Sequence, residues 1–186
     1  MELAKCDLGI KIKNINDMLK CEDPVGAKRE LQNLPKFIHD VAKGLKWIHD
    51  SQILHRDIKP ENILIVMKAD GSEIGKIGDF GVSRKLSTMS TGLIHWEKGT
   101  SDWMAPEAIR SMNSGKSFKN TKAIDIFSFG MTAQFTISLG VHPFGESKRN
   151  GRFIPMNILH EDIPSYSRAW EYLADHLFQW CMQYKL

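Results

Sequence analysis

Apolar residues at Phe37, Ile38, Val41, Ala42, Leu45 and Ile48 recur at intervals of three and four. That spacing predicts a helix over residues 34–50 with one buried face. Two short β-rich runs follow, Ile63 to Val66 and Ile74 to Ile77, with Asp70-Gly71 between them. They predict a hairpin closed by a tight turn. Residues 82–103 are rich in Ser, Thr and Gly and read as a long loop, a length that is usually functional. Residues 122–139 are apolar enough for a buried helix, with Gly140 and Pro143 bracketing its end. The stretches 111–121 and 145–152 read as polar loops. A last helix is expected around Trp170, Leu173, Ala174, Leu177, Phe178 and Cys181. The order predicts an α+β chain, a mostly helical lobe with one small sheet element.

Composition changes this picture little. The 186 residues suffice for one domain with a core, and 42% hydrophobic against 25% charged is an ordinary globular balance. A net charge of +3 gives no ground for nucleic-acid or membrane-surface binding. Cys6, Cys21 and Cys181 are odd in number and far apart, which fits reduced thiols and neither zinc nor disulfide spacing. No run of about 18 apolar residues or signal-peptide pattern occurs. A cytoplasmic chain without a membrane segment is therefore expected.

The chemistry lies in an ordered set of short motifs. Residues 55–62 read His-Arg-Asp-Ile-Lys-Pro-Glu-Asn. Asp79-Phe80-Gly81 follows, then Gly99-Thr100 and Ala105-Pro106-Glu107. Any one of these occurs by chance, but four in this order do not. The set resembles the C-terminal lobe of protein kinases. The resemblance implies a partial protein kinase domain over 1–186, from the hinge to a late helix, with the N-lobe absent. No G-x-G-x-x-G precedes His55, Met1-Glu2-Leu3-Ala4 resembles the hinge, and Leu186 falls within a late helix.

The family implies roles residue by residue. Asp57 would orient the substrate hydroxyl and act as its base. Asn62, five positions on, and Asp79 would hold Mg²⁺ bridging the phosphates of ATP, and hard oxygen ligands suit that ion. The blander alternative is that all three are loop-capping groups. Lys59 would steady the transferring phosphoryl group, and Thr100 would bond Asp57 and Lys59; together they favour Ser/Thr over Tyr substrates. A solvated lysine and a turn threonine are the alternatives there. Leu64 would floor the adenine, and Glu2 and Ala4 would present hinge backbone to its edge. His55 and Phe80 would stack in a hydrophobic column, and Asp125 would hold the catalytic loop. Arg56 would meet a phosphate on the loop carrying Ser83, Ser87, Thr88, Ser90 and Thr91.

Finer details narrow the family. Trp103 stands where most Ser/Thr kinases carry Tyr, and Gly140-Val141-His142-Pro143-Phe144-Gly145 follows the apolar helix. With the His-Arg-Asp run, this resembles the inositol-requiring ER-stress sensors, kinase/endoribonucleases related to the 2-5A-dependent ribonuclease. The resemblance implies a Ser/Thr kinase that phosphorylates a protein substrate or itself in trans. It also implies homodimerisation and an ER-anchored parent with this domain facing the cytosol. No ribonuclease domain and no nucleic-acid binding are expected within these residues. The competing expectation is a pseudokinase, a nucleotide-sensing scaffold that controls dimerisation.

Overall fold

The computed structural model describes residues 3–21, 23–85, 101–116, 118, 121–145 and 154–160. A three-stranded antiparallel sheet has β1 (Ala4–Asp7) and β4 (Glu73–Ile77) flanking β3 (Ile63–Met67). Ile63 faces Ile77 and Met67 faces Glu73, so the hairpin lies where the apolar runs place it. Gly71, at φ +80°, supplies the left-handed turn residue. A second ribbon pairs β2 (Ile53–Leu54) with β5 (Arg84–Lys85).

Against the sheet pack α1 (Leu8–Lys20) and α3 (Leu34–Asp50), and α2 (Pro24–Leu31) packs on α1. Phe37, Ile38, Val41, Leu45 and Ile48 of α3 are buried, as their spacing predicts. Leu8, Ile12 and Ile15 of α1 join Leu34, Phe37, Val41, Ile63 and Ile65 in one core. Each such side chain contributes about 1.5–3 kcal/mol by leaving water. The sheet approaches α3 closely at Gly75, where a Cβ would sit 3.2 Å from Phe37 O.

The apolar pattern does not anticipate α1 and α2, which local caps start. Asp7 accepts a hydrogen bond from Ile10 N at 2.9 Å, and Asp23 accepts one from Gly26 N at 2.9 Å. The buried face of α1 also carries a charge. Lys11 Nζ lies 2.6 Å from both Glu30 Oε2 and Glu73 Oε2, and Lys5 meets the other oxygen of Glu73 at 3.0 Å. Burial would push the Lys11 ammonium towards neutrality, but the two carboxylates more than offset it and raise its pKa.

The second core lies around α4 (Pro106–Ser114), α5 (Lys122–Ile137) and α6 (Ile154–His160). Trp103, Met104, Ile109, Met131, Ile154 and Ile158 fill it. The expected loop over 111–121 begins later than its composition suggests. Helix α4 continues to Ser114, whose hydroxyl bonds back to Arg110 O at 2.8 Å, and stops at Gly115 with φ +64°. The buried helix expected over 122–139 is present as α5, which ends at Ile137 and leaves Ile126 56% exposed. The expected terminal helix lies outside the described residues.

After α5 the chain turns through Gly140 and tucks His142 into this core. The imidazole is 8% exposed and lies edge-on to Trp103, ring centroids 4.7 Å apart. Its Nε2 donates to Asp102 O at 3.0 Å, and its Nδ1 accepts from Phe144 N at 3.1 Å. Burial pushes its pKa down to about 4. The unfolded chain takes up this proton near pH 6.5, whereas the folded chain waits until about 4. The contribution to stability is therefore full above about 6.5 and is lost as the pH falls towards 4, by up to about 3 kcal/mol. Urea midpoints measured from pH 7.5 to 4.5 should fall for the native chain and fall less for His142→Gln. Parallel curves would contradict this.

Candidate active site

The loop from His55 to Asn62 leaves the buried end of β2 and enters β3 through a 3₁₀ turn, Pro60–Asn62. Its shape is set from beneath by Asp125 on α5, a carboxylate 1% exposed. Asp125 Oδ2 accepts from His55 N at 2.9 Å and Oδ1 from Arg56 N at 2.7 Å. His49 Nε2 of α3 donates to the same carboxylate at 2.9 Å. Arg56 adopts φ +70°, a left-handed conformation that costs a non-glycine residue on the order of 1–3 kcal/mol. The two charge-assisted bonds offset that strain.

His55 is wholly buried, and both ring nitrogens are used. Nδ1 accepts from Asp57 N at 3.3 Å, and Nε2 donates to Gly78 O at 2.9 Å. Burial holds its pKa below the usual histidine value, outweighing the Gly78 carbonyl and the surrounding aspartates. The ring stands edge-on to Phe80 at 5.0 Å, so the pair meets as expected, although Phe80 is 48% exposed.

Asp57 points one oxygen into a polar clamp. Its Oδ2 accepts from Lys59 Nζ at 2.9 Å and Asn62 Nδ2 at 2.7 Å. Asn62 Nδ2 also donates to Asp57 O at 2.7 Å. The other oxygen, Oδ1, is buried and has no partner among the described residues. A carboxylate oxygen left so is costly unless something donates to it. Asp79 is brought to the same place by the hairpin. Gly78 N donates to Asn62 O at 2.8 Å, so the residue before Asp79 is tied to the end of the Asp57 loop. Asp79 itself is exposed at φ +53°, and its Oδ1 accepts from Gly81 N at 3.1 Å.

Leu64 packs on the backbone here, its Cδ1 2.8 Å from where a Cβ of Gly78 would sit. Ala4 is exposed on β1 and pairs with Val66 of the strand that carries Leu64. Glu2 and Thr100 lie outside the described residues, as do Ser87, Thr88, Ser90 and Thr91. Ser83 is described; its hydroxyl donates to His55 O at 3.3 Å. Arg56 Nε donates to Val82 O at 2.8 Å. Burial, and then the neighbouring Arg84, lower the Arg56 pKa. The sequence reading missed His49 as the third partner of Asp125; its only signal is a histidine beside Ile48 on the buried side of α3.

No group of three His, Cys, Asp or Glu gathers among the described residues. The donor set nonetheless fits Mg²⁺, which takes one or two carboxylates and completes its shell with phosphates and water. Asp79 is an exposed carboxylate. Both short bonds of the Asn62 amide are made by its nitrogen, so among the described residues its oxygen is the atom that would face a hard cation.

The chain matches proteins of known class. It is 37% identical over 121 residues to serine/threonine-protein kinase/endoribonuclease IRE1b of Arabidopsis thaliana, covering 61% of this chain and 12% of that protein. It is 34% identical over 134 residues to ire-1 of Caenorhabditis elegans, 67% of this chain and 13% of that protein. It is 38% identical over 114 residues to human IRE2, 59% of this chain and 12% of that protein. The aligned stretches thus span about an eighth of these relatives. The family model for the protein kinase domain matches residues 10–184, and the chain belongs to the protein kinase family.

Proposed function

We propose that this chain carries the phosphoryl-transfer machinery of a serine/threonine protein kinase. The observation that supports it best is the divided carboxylate of Asp57. One oxygen is fixed by Lys59 and Asn62, and the other is buried without a donor among the described residues. A substrate hydroxyl that reached that oxygen as the cover over it opened would satisfy it and be aimed for attack. Asp57 then orients the hydroxyl and takes its proton as the oxygen bonds to phosphorus. Asn62 and Asp79 would hold Mg²⁺, which would supply neutralisation of phosphate charge. Lys59 would steady the transferring group, a role in which the family resemblance also enlists Thr100. Leu64 would floor the adenine, and the hinge residues Glu2 and Ala4 would be the ones to meet its edge.

The relatives named kinase/endoribonucleases point to the setting. In the parent protein this domain phosphorylates Ser or Thr on a second copy of itself, in signalling of the unfolded-protein-response type, on the cytosolic face of the ER. No helix among the described residues is long and apolar enough to cross a membrane.

The test follows transfer from labelled ATP by the full-length protein that contains this chain. Phosphoserine or phosphothreonine should form, and EDTA should abolish it. Phosphotyrosine as the main product would overturn the specificity. Mg-ATP binding with no transfer would favour the scaffold reading instead.

A further inference from the structure

Trp103, which stands where most Ser/Thr kinases carry Tyr, and His142, from the run that follows the apolar helix, touch each other across 39 residues of sequence. Their contact lies next to the site. Trp103, Met104 and Ala105 line a water-sized cavity of about 10 Å³ together with Arg56, Asp57 and Ile58. The end of the Ser101–Ala105 stretch, Trp103 to Ala105, therefore faces Arg56, Asp57 and Ile58 across this small void. Among the described residues, two side chains outside the stretch hydrogen-bond to it. Ser128 Oγ of α5 donates to Trp103 O at 2.6 Å, and His142 Nε2 donates to Asp102 O at 3.0 Å. The second bond comes from a turn that is itself fixed through the other ring nitrogen, which accepts Phe144 N–H.

We infer that His142 is a positioning residue for the protein substrate, setting through Asp102 and Trp103 how far the Ser101–Ala105 wall stands from Asp57. The inference rests on the kinase reading. The wall makes no bond to Asn62 or Asp79 among the described residues, so its position should bear on the hydroxyl-bearing chain and not on the nucleotide. A displacement of about 1 Å is enough to spoil an in-line approach. The imidazole suits the post because it stays neutral and keeps one nitrogen as donor and the other as acceptor down to about pH 4.

The two nitrogens do separable work, and two substitutions divide them. In His142→Asn the amide oxygen can still accept Phe144 N–H, but the side chain is too short to reach Asp102 O. In His142→Gln the longer amide restores a donor to Asp102 O. The experiment uses the full-length protein that contains this chain and the best serine peptide from an arrayed library. His142→Asn should raise the peptide KM roughly five- to tenfold, the worth of one lost hydrogen bond, and leave the KM for Mg-ATP unchanged. His142→Gln should return the peptide KM to within about twofold of the native value. Trp103→Phe shrinks the ring that His142 meets and should give the same split if the Asn variant does not fold.

Amide hydrogen exchange in residues 101–105 gives a readout independent of activity: faster in His142→Asn, native in His142→Gln. The inference is overturned by an unchanged peptide KM in the Asn variant, by a KM for Mg-ATP that rises in step, or by a Gln variant as impaired as Asn. Absence of transfer by the native protein would instead strike the kinase reading alone, and exchange would still decide whether His142 holds the wall.

Discussion

Asp57→Asn should reduce phosphoryl transfer by about 10²–10⁴-fold, the range over which a positioned general base acts. The substitution is nearly isosteric, so the fold should hold. Its consequences fall on both sides of the group. On the clamped side, the charge that draws in Lys59 at 2.9 Å disappears, and Lys59 is left facing a neutral amide. On the other side, the buried oxygen that would receive the hydroxyl proton becomes an amide atom that cannot take it. Nucleotide affinity should barely change, because Asp79 and the Asn62 oxygen remain. The measurement is kcat with peptide and Mg-ATP saturating, together with the KM for Mg-ATP. A kcat within tenfold of the native value would remove Asp57 from the role proposed for it.

Asp125→Ala should be the most destabilising single change in the site region. The carboxylate accepts two backbone N–H groups and the His49 imidazole while only 1% exposed. Deleting it strands three donors, and breaking buried charged networks of this kind costs on the order of 3–5 kcal/mol. For a chain of this size that corresponds to a melting temperature lower by roughly 10 °C. Asp125→Asn keeps one acceptor and presents an NH₂ to a donor at the other, so its loss should be intermediate. Urea denaturation of the three proteins gives the order directly. An alanine variant within about 1 kcal/mol of native would show that the Arg56 conformation is held by something else.

Parts of this fold are readable because their causes are local. The apolar spacing from Phe37 to Ile48 needs only one sheet to lie on. Asp70-Gly71 closes its hairpin by its own dihedral preference. The order His55, Asp57, Asn62, Asp79 is legible because each spacing belongs to one loop or one hairpin. The failures share the opposite character. Helix α1 is hidden because Lys11 interrupts its apolar face, and its burial is made tolerable by Glu73, 62 positions away. Helix α4 outruns its apolar residues because Ser114 satisfies a carbonyl of its own helix, which composition reads as a loop signal. The Asp125 bonds to His55 and Arg56 agree with the resemblance, but His49 and the meeting of Trp103 with His142 depend on tertiary placement that no local window contains.

The dependence of the Asp57 loop on Asp125 also has a meaning in time. Asp125 lies 70 residues downstream of His55, the first backbone group it holds. On a ribosome adding roughly 5–20 residues per second, that separation is about 4–14 s of synthesis. Throughout that interval Arg56 has no carboxylate to hold it at positive φ. The loop therefore reaches its working shape only after α5 has been made and has docked. A nascent chain halted before Asp125 should carry every residue of the His-Arg-Asp run in an untrained conformation, which gives the cell a period of synthesis in which the half-made protein has no assembled site.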